Sequence, residues 1–148
     1  MGLLSRLLSP SRSGSGAPST ALTGLDLSSD HRLPVVGESF YQEELARVAG
    51  PKQPGGIELE VRAVLVPEPD NPYDAKAIAI YLDGAGKVGH LSRDDAVAYG
   101  PLTAQCARRN RVATCEAVVL GADSDRATMY CVWLHIEPPE HRLADGGD

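Results

Sequence analysis

The sequence predicts a mainly β fold of the α+β class, a small, closed or nearly closed β-barrel of about six short strands with one or two helices. Three observations lead there. Apolar and polar residues alternate along Ile57, Glu58, Leu59, Glu60, Val61 and Arg62, the period of a half-buried strand. Short β-prone runs are separated by Pro-, Gly- and Asp-rich turns, which favours antiparallel connections. A closed sheet is the economical way to hold such strands without leaving edges open.

Residues 1–29 read as a disordered N-terminal arm, because from Ser9 to about Thr23 the composition is Ser, Gly, Pro and Arg with little to bury. The first eight residues, with Leu3, Leu4, Leu7 and Leu8, form a weakly amphipathic, sticky end. Their apolar runs are too short for a signal-peptide core, and Arg6 stands where a myristoylation pattern wants Ser or Thr. The folded domain spans residues 30–138 and the polar tail residues 139–148. Leu33, Pro34, Val35 and Val36 make a short strand ended by Gly37, and residues 40–48 suit one or two helical turns stopped by Gly50-Pro51. Residues 57–66 are the strongest strand, wet on one face at first and buried on both faces at Val64, Leu65 and Val66. Residues 77–82 and 87–91 pair through the hairpin Asp83-Gly84-Ala85-Gly86. Ser92 with Asp95 three residues on reads as a helix cap. The helix that follows is expected to stop near Tyr99, with a second piece starting at Pro101 and running to about Arg109. Strands over 112–120 and 128–136 complete the count, with Trp133 expected to face inward.

A chain of 148 residues can bury one core unaided. Its net charge of -6 counts against a broadly basic nucleic-acid surface, though not against a small local site. Cys106, Cys115 and Cys131 are an odd set without a Cys-x-x-Cys pair, so a reducing cytoplasm fits better than a disulfide framework. No apolar run approaches a membrane span. Cys131 and His135 lack a second ligand pair at metal spacing, so no metal is expected. There is no phosphate-binding Gly-x4-Gly-Lys loop, no carboxylate cluster and no nucleophile elbow. No catalytic residue, cofactor or small-molecule substrate is therefore expected.

The densest cluster of turn-formers and polar groups is Asn71-Pro72-Tyr73-Asp74, held between two strands, where a small β domain would carry a binding site. Asn71, Pro72 and Asp74 are also what simple turn chemistry would place there. Tyr73 could equally plug the barrel with its hydroxyl tied to a carbonyl. Arg108, Arg109 and Arg111 form the one basic cluster, readable as a helix end favoured by the dipole or as a second contact to a phosphate backbone.

The run from Glu68 through Asn71-Pro72-Tyr73-Asp74 to Ile80, the block Gly86-Lys87-Val88-Gly89-His90-Leu91-Ser92-Arg93 and the upstream Val35-Val36-Gly37-Glu38-Ser39-Phe40-Tyr41 together resemble the HIRAN domain family over about residues 33–137. The chain is more similar to the free-standing bacterial members than to those linked to helicases. The resemblance implies an OB-like barrel that binds DNA without catalysis, gripping the 3′ end of a single strand in DNA repair or processing. By motif position it implies that Tyr73 stacks on a base and that Asn71 and Asp74 hydrogen-bond the terminal hydroxyl. It places His90 and Arg93 at phosphate oxygens, with Phe40 as a second aromatic wall. One departure is visible: Glu38-Ser39 stands where helicase-linked members carry a basic residue. The alternative is a protein-interaction or accessory module for a helicase or nuclease partner, with little DNA affinity of its own.

Overall fold

The computed structural model describes residues 23–144, with the side chains of the last two left aside. The amphipathic N-terminal end and most of the expected arm lie outside the described residues.

Seven strands make one sheet: β1 (Thr23–Asp26), β2 (Ser28–Pro34), β3 (Ile57–Pro67), β4 (Ile78–Leu82), β5 (Gly86–His90), β6 (Arg111–Gly121) and β7 (Tyr130–Ile136). The spatial order is β2-β7-β6-β3-β4-β5, and β1 lies parallel to the first residues of β6. All other ladders are antiparallel. The mainly β, OB-like class is as the sequence predicts, but the sheet is not closed into a barrel. Its two outer strands meet only where Val36, just past β2, bridges His90 at the end of β5. A single reciprocal pair joins them, Val36 N to His90 O at 2.8 Å and His90 N to Val36 O at 2.9 Å.

Three α-helices accompany the sheet: α1 (Gln42–Ala49), α2 (Arg93–Arg108) and α3 (Pro139–Ala144), with a 3-10 turn at Glu38–Phe40 before α1. The fold begins earlier than the arm's expected boundary at residue 29, since β1 pairs with β6 and Leu27 is fully buried. Part of the expected tail is the short α3. Helix α2 is one continuous helix and does not break at Gly100-Pro101. Its buried face, Ala96, Tyr99, Leu102 and Cys106, packs on the sheet and holds the helix through the proline, whose ring lies on the exposed side. The Ser92 hydroxyl accepts from Asp95 N at 3.1 Å, as the cap requires.

The core is drawn from one face of each strand. On β7 the inward set is Tyr130, Val132, Leu134 and Ile136, each buried. Trp133 therefore lies on the outer face, half-buried beneath Arg32, whose guanidinium sits 5.6 Å from the ring centroid. Where β2 ends, side chains continue its pairing along β7. The Glu38 carboxylate accepts from Val132 N at 3.0 Å, and the Gln42 amide both accepts from Tyr130 N and donates to Tyr130 O. The remaining edge of β7 is thus covered without another strand.

Candidate functional site

Strand β3 ends in Pro67, and the chain returns to β4 through a ten-residue loop shaped by its own hydrogen bonds. Glu68 N donates to Ala77 O at 2.9 Å and closes the neck. Asn71 Oδ1 accepts from Tyr73 N at 2.8 Å and Asp74 N at 3.1 Å, the Asx geometry that folds a chain over a short polar side chain. Asp74 Oδ1 accepts from Lys76 N at 2.9 Å. These bonds fix a tight arch and leave Tyr73 at its tip, 89% exposed. The ring fills no part of the core.

The arch stands on Glu68. Its Oε2 lies 2.7 Å from Lys87 Nζ, and its Oε1 lies 2.8 Å from His90 Nε2 and 3.0 Å from Asn71 Nδ2. Lys87 and His90 are three residues apart and on a regular strand would face opposite ways. A bulge at Val88, where the β4–β5 register shifts between Ile80 and Tyr81, turns both to the same side. Burial pushes the Glu68 carboxyl upward, but the hydrogen bonds from Lys87, Asn71 and His90 outweigh it and hold the group down at about 2. Burial alone would lower the Lys87 ammonium, yet its contact with Glu68 raises it. Both groups are charged at neutral pH.

Gly89 admits the neighbouring segment. A Cβ there would sit 2.5 Å from the Val36 carbonyl oxygen and 2.6 Å from Val35 Cγ1, so the Val36–His90 bridge requires glycine. Beyond the bridge Gly37, at φ 82°, turns the chain into Glu38–Phe40 and leaves Phe40 84% exposed. On the other side of the arch, Arg93 at the start of α2 places its Nε 3.7 Å from Asp74 Oδ2 with its side chain largely in solvent.

The structure thus brings Asn71, Tyr73, Asp74, His90 and Arg93 into one connected group and ties Phe40 to it through the backbone of the bridge. Asn71 spends its side chain inside the arch, as turn chemistry anticipated. Glu38 is turned to the β7 backbone and presents no charge to the arch. Around the arch the cations Lys76, Lys87 and Arg93 match the carboxylates of Glu68, Asp70 and Asp74, so the site is near neutral in a chain of net charge -6. Sequence reading gave no role to Glu68 or Lys87. Their signal lies in hairpin register, which places residue 87 opposite 81 and so within reach of the loop that starts at 68.

Arg108, Arg109 and Arg111 lie elsewhere. Arg108 is about 22 Å along α2 from Arg93 by helical rise. Arg109 and Arg111 border a crevice of about 20 Å³ shared with Cys106 and Arg142, room for little more than one water. Among the described residues, no cluster of three or more His, Cys, Asp or Glu side chains could hold a metal ion, and no helix is long and apolar enough to cross a membrane.

Comparison with solved structures finds the crystal structure of the HIRAN domain of human HLTF, 26% identical over 77% of this chain and 80% of that one, with a TM-score of 0.42. A crystal structure of a protein from Lactobacillus plantarum is 19% identical over 75% of this chain and 96% of that one, with a TM-score of 0.43. The NMR structure of the HLTF HIRAN domain in its DNA-bound conformation is 19% identical over 78% and 82%, with a TM-score of 0.39. No curated protein matches the chain. The HIRAN domain family itself matches residues 29–137, well over half of the sequence and all but the first residue of the stretch from β2 to β7. The chain belongs to the HIRAN domain family.

Proposed function

We propose that this HIRAN domain binds nucleic acid without catalysing a reaction, and that its ligand is the 3′ end of single-stranded DNA met in repair or processing. The observation that carries the reading is the pair of exposed rings, Tyr73 raised on an arch that its own hydrogen bonds hold in shape and Phe40 just beyond the Val36 bridge to His90. Aromatic rings held at this exposure cost the fold surface that a stacked base would cover, and such stacking contributes about 1–3 kcal/mol per base. Family membership supports DNA as the ligand class, since the HLTF member has been described in a DNA-bound conformation.

In this reading Tyr73 stacks on a terminal base and Phe40 forms the second wall. Asp74 accepts a hydrogen bond from the terminal hydroxyl, a place where a carboxylate is tolerated because no phosphate stands there. Arg93 meets the nearest phosphate, and His90, oriented by Glu68 through Nε2, supports it. Asn71 shapes the arch. The near-neutral site gives little bulk electrostatic attraction, so specificity for the end outweighs raw affinity.

Fluorescence anisotropy with single strands ending in 3′-hydroxyl or 3′-phosphate, at two salt concentrations, tests this. The hydroxyl end should bind more tightly, with a shallow salt dependence. Absence of binding to either below about 0.1 mM, where even non-specific binders register, would refute it. That result would favour the second reading, a protein-interaction or accessory module for a helicase or nuclease. The net charge of -6 and Glu38-Ser39, in place of a cation, are what speak for it.

A further inference from the structure

Beside the arch, α2 and the 67–78 segment enclose an open groove of about 510 Å³ that the DNA reading does not use. Pro69 and Ala75 form one wall, and Val97, Pro101, Ala104 and Ala107 form the other. Of the residues lining it only Lys76 is charged, and the one hydroxyl, that of Thr103, is already donated to Gly100 O at 2.9 Å. Val97 is 52% exposed on its lip. The groove offers neither an aromatic ring for a base nor a row of cations for phosphates, so it suits an apolar peptide better than a nucleic-acid strand.

We infer that the groove is the docking site of this chain's own N-terminal residues 3–8. Leu3, Leu4, Leu7 and Leu8 supply an apolar stripe at helical spacing in an otherwise polar N-terminal region. The described chain starts beside the groove's end: Thr23 N donates to Asn110 O at 3.3 Å, and Asn110 N donates to Ala107 O at 3.1 Å. The connecting residues 9–22 can extend over about 46 Å. From Ala107 to Ala96 the helix rises only about 16 Å. A segment tethered this closely meets the groove at an effective concentration in the millimolar range, so a contact too weak to hold a free peptide holds this one. Pro69 and Ala75 flank the arch that carries Tyr73, so an occupied groove abuts the candidate site while remaining separate from it.

Paramagnetic broadening in the full chain tests the inference. A nitroxide is attached at Ser5→Cys with Cys131→Ser as background, Cys106 and Cys115 being buried. The amides of Ala75, Lys76, Val97 and Ala104 should lose intensity several-fold on oxidation of the label, while those of Glu58 and Glu60 on the outer face of β3 stay unchanged. Leu4→Ser with Leu7→Ser, which lies outside the described fold, should abolish the effect. So should Ala104→Glu, which puts a carboxylate on an exposed helical position. Broadening that is absent, or that survives both variants, would overturn the inference. Broadening of an isotope-labelled, unspin-labelled chain by an unlabelled spin-labelled one would give the groove to a second copy and also overturn it. Groove amides that shift with a single-stranded oligonucleotide but show no broadening would assign the groove to nucleic acid, against the inference. Loss of oligonucleotide binding with groove broadening intact would refute the DNA reading alone.

Discussion

Replacing Glu68 with Gln removes one charge from the base of the arch and leaves its shape almost unchanged. In the native protein this carboxylate meets Lys87, His90 and Asn71, and its pKa falls from 4.5 to about 2. Taken whole, that depression corresponds to about 3 kcal/mol of stability. The side chain is 21% exposed, so solvent screening trims the contribution to about 2 kcal/mol. Glu68→Gln should therefore unfold with about 2 kcal/mol less stability at pH 7, a fall in Tm of about 6 °C for a domain of this size. The sign with pH follows from a lowered pKa: the stabilisation is present above pH 4.5 and disappears as pH falls toward 2. The gap between the native protein and the variant should hold from pH 7 to pH 5, shrink below 4.5 and close near pH 2. Urea unfolding followed by circular dichroism at stepped pH measures it. A gap of constant size across that range would mean that Glu68 acts by packing rather than charge, and the account of the site's foundation would be wrong.

Two further perturbations test neighbouring parts of the argument. Gly89→Ala puts a methyl group against the Val36 carbonyl and should cost about 2–4 kcal/mol, with faster hydrogen exchange at the Val36 and His90 amides; an unchanged exchange rate there would show that the bridge does not depend on glycine. Burial pushes the Cys115 thiol up to about 12 and raises Cys106 as well, so in the native protein at pH 8 these two should react slowly with a disulfide reagent and be released only on unfolding, while the half-buried Cys131 is the first to react; rapid reaction of all three thiols in the folded chain would contradict the burial.

Much of this architecture was readable because its signals are local. The alternation from Ile57 to Arg62 made β3 visible, and Asp83-Gly84-Ala85-Gly86 marked the hairpin because two glycines at positive φ close it, Gly84 and Gly86. What failed to show in sequence depends on partners far along the chain. Strand β1 is Thr-Gly-Leu-Asp, with no alternation of its own, and forms because β6 extends past the end of β7 and leaves it an edge. Trp133 was expected inside because period two does not say which set faces the core; the apolar content of Tyr130, Val132, Leu134 and Ile136 decided it. Helix α2 runs through Pro101 because its opposite face is buried, a tertiary effect that outweighs the local breaker. The arch was legible as a turn and as a family motif. Its foundation on Glu68 was not, since a bulge in β5 is what brings Lys87 and His90 to one side.

The central claim is that Tyr73 binds the ligand and does not hold the fold together. Its ring is 89% exposed, so Tyr73→Ala should alter stability by no more than about 0.5 kcal/mol. The same change should weaken binding of a 3′-hydroxyl single strand by about 1–3 kcal/mol, roughly 5- to 150-fold in Kd. Thermal unfolding and anisotropy on the same two samples decide the matter. A matched Tm with a Kd weakened in that range is the predicted result; an unchanged Kd, with binding lost instead in Arg108→Glu or Arg111→Glu, would contradict it.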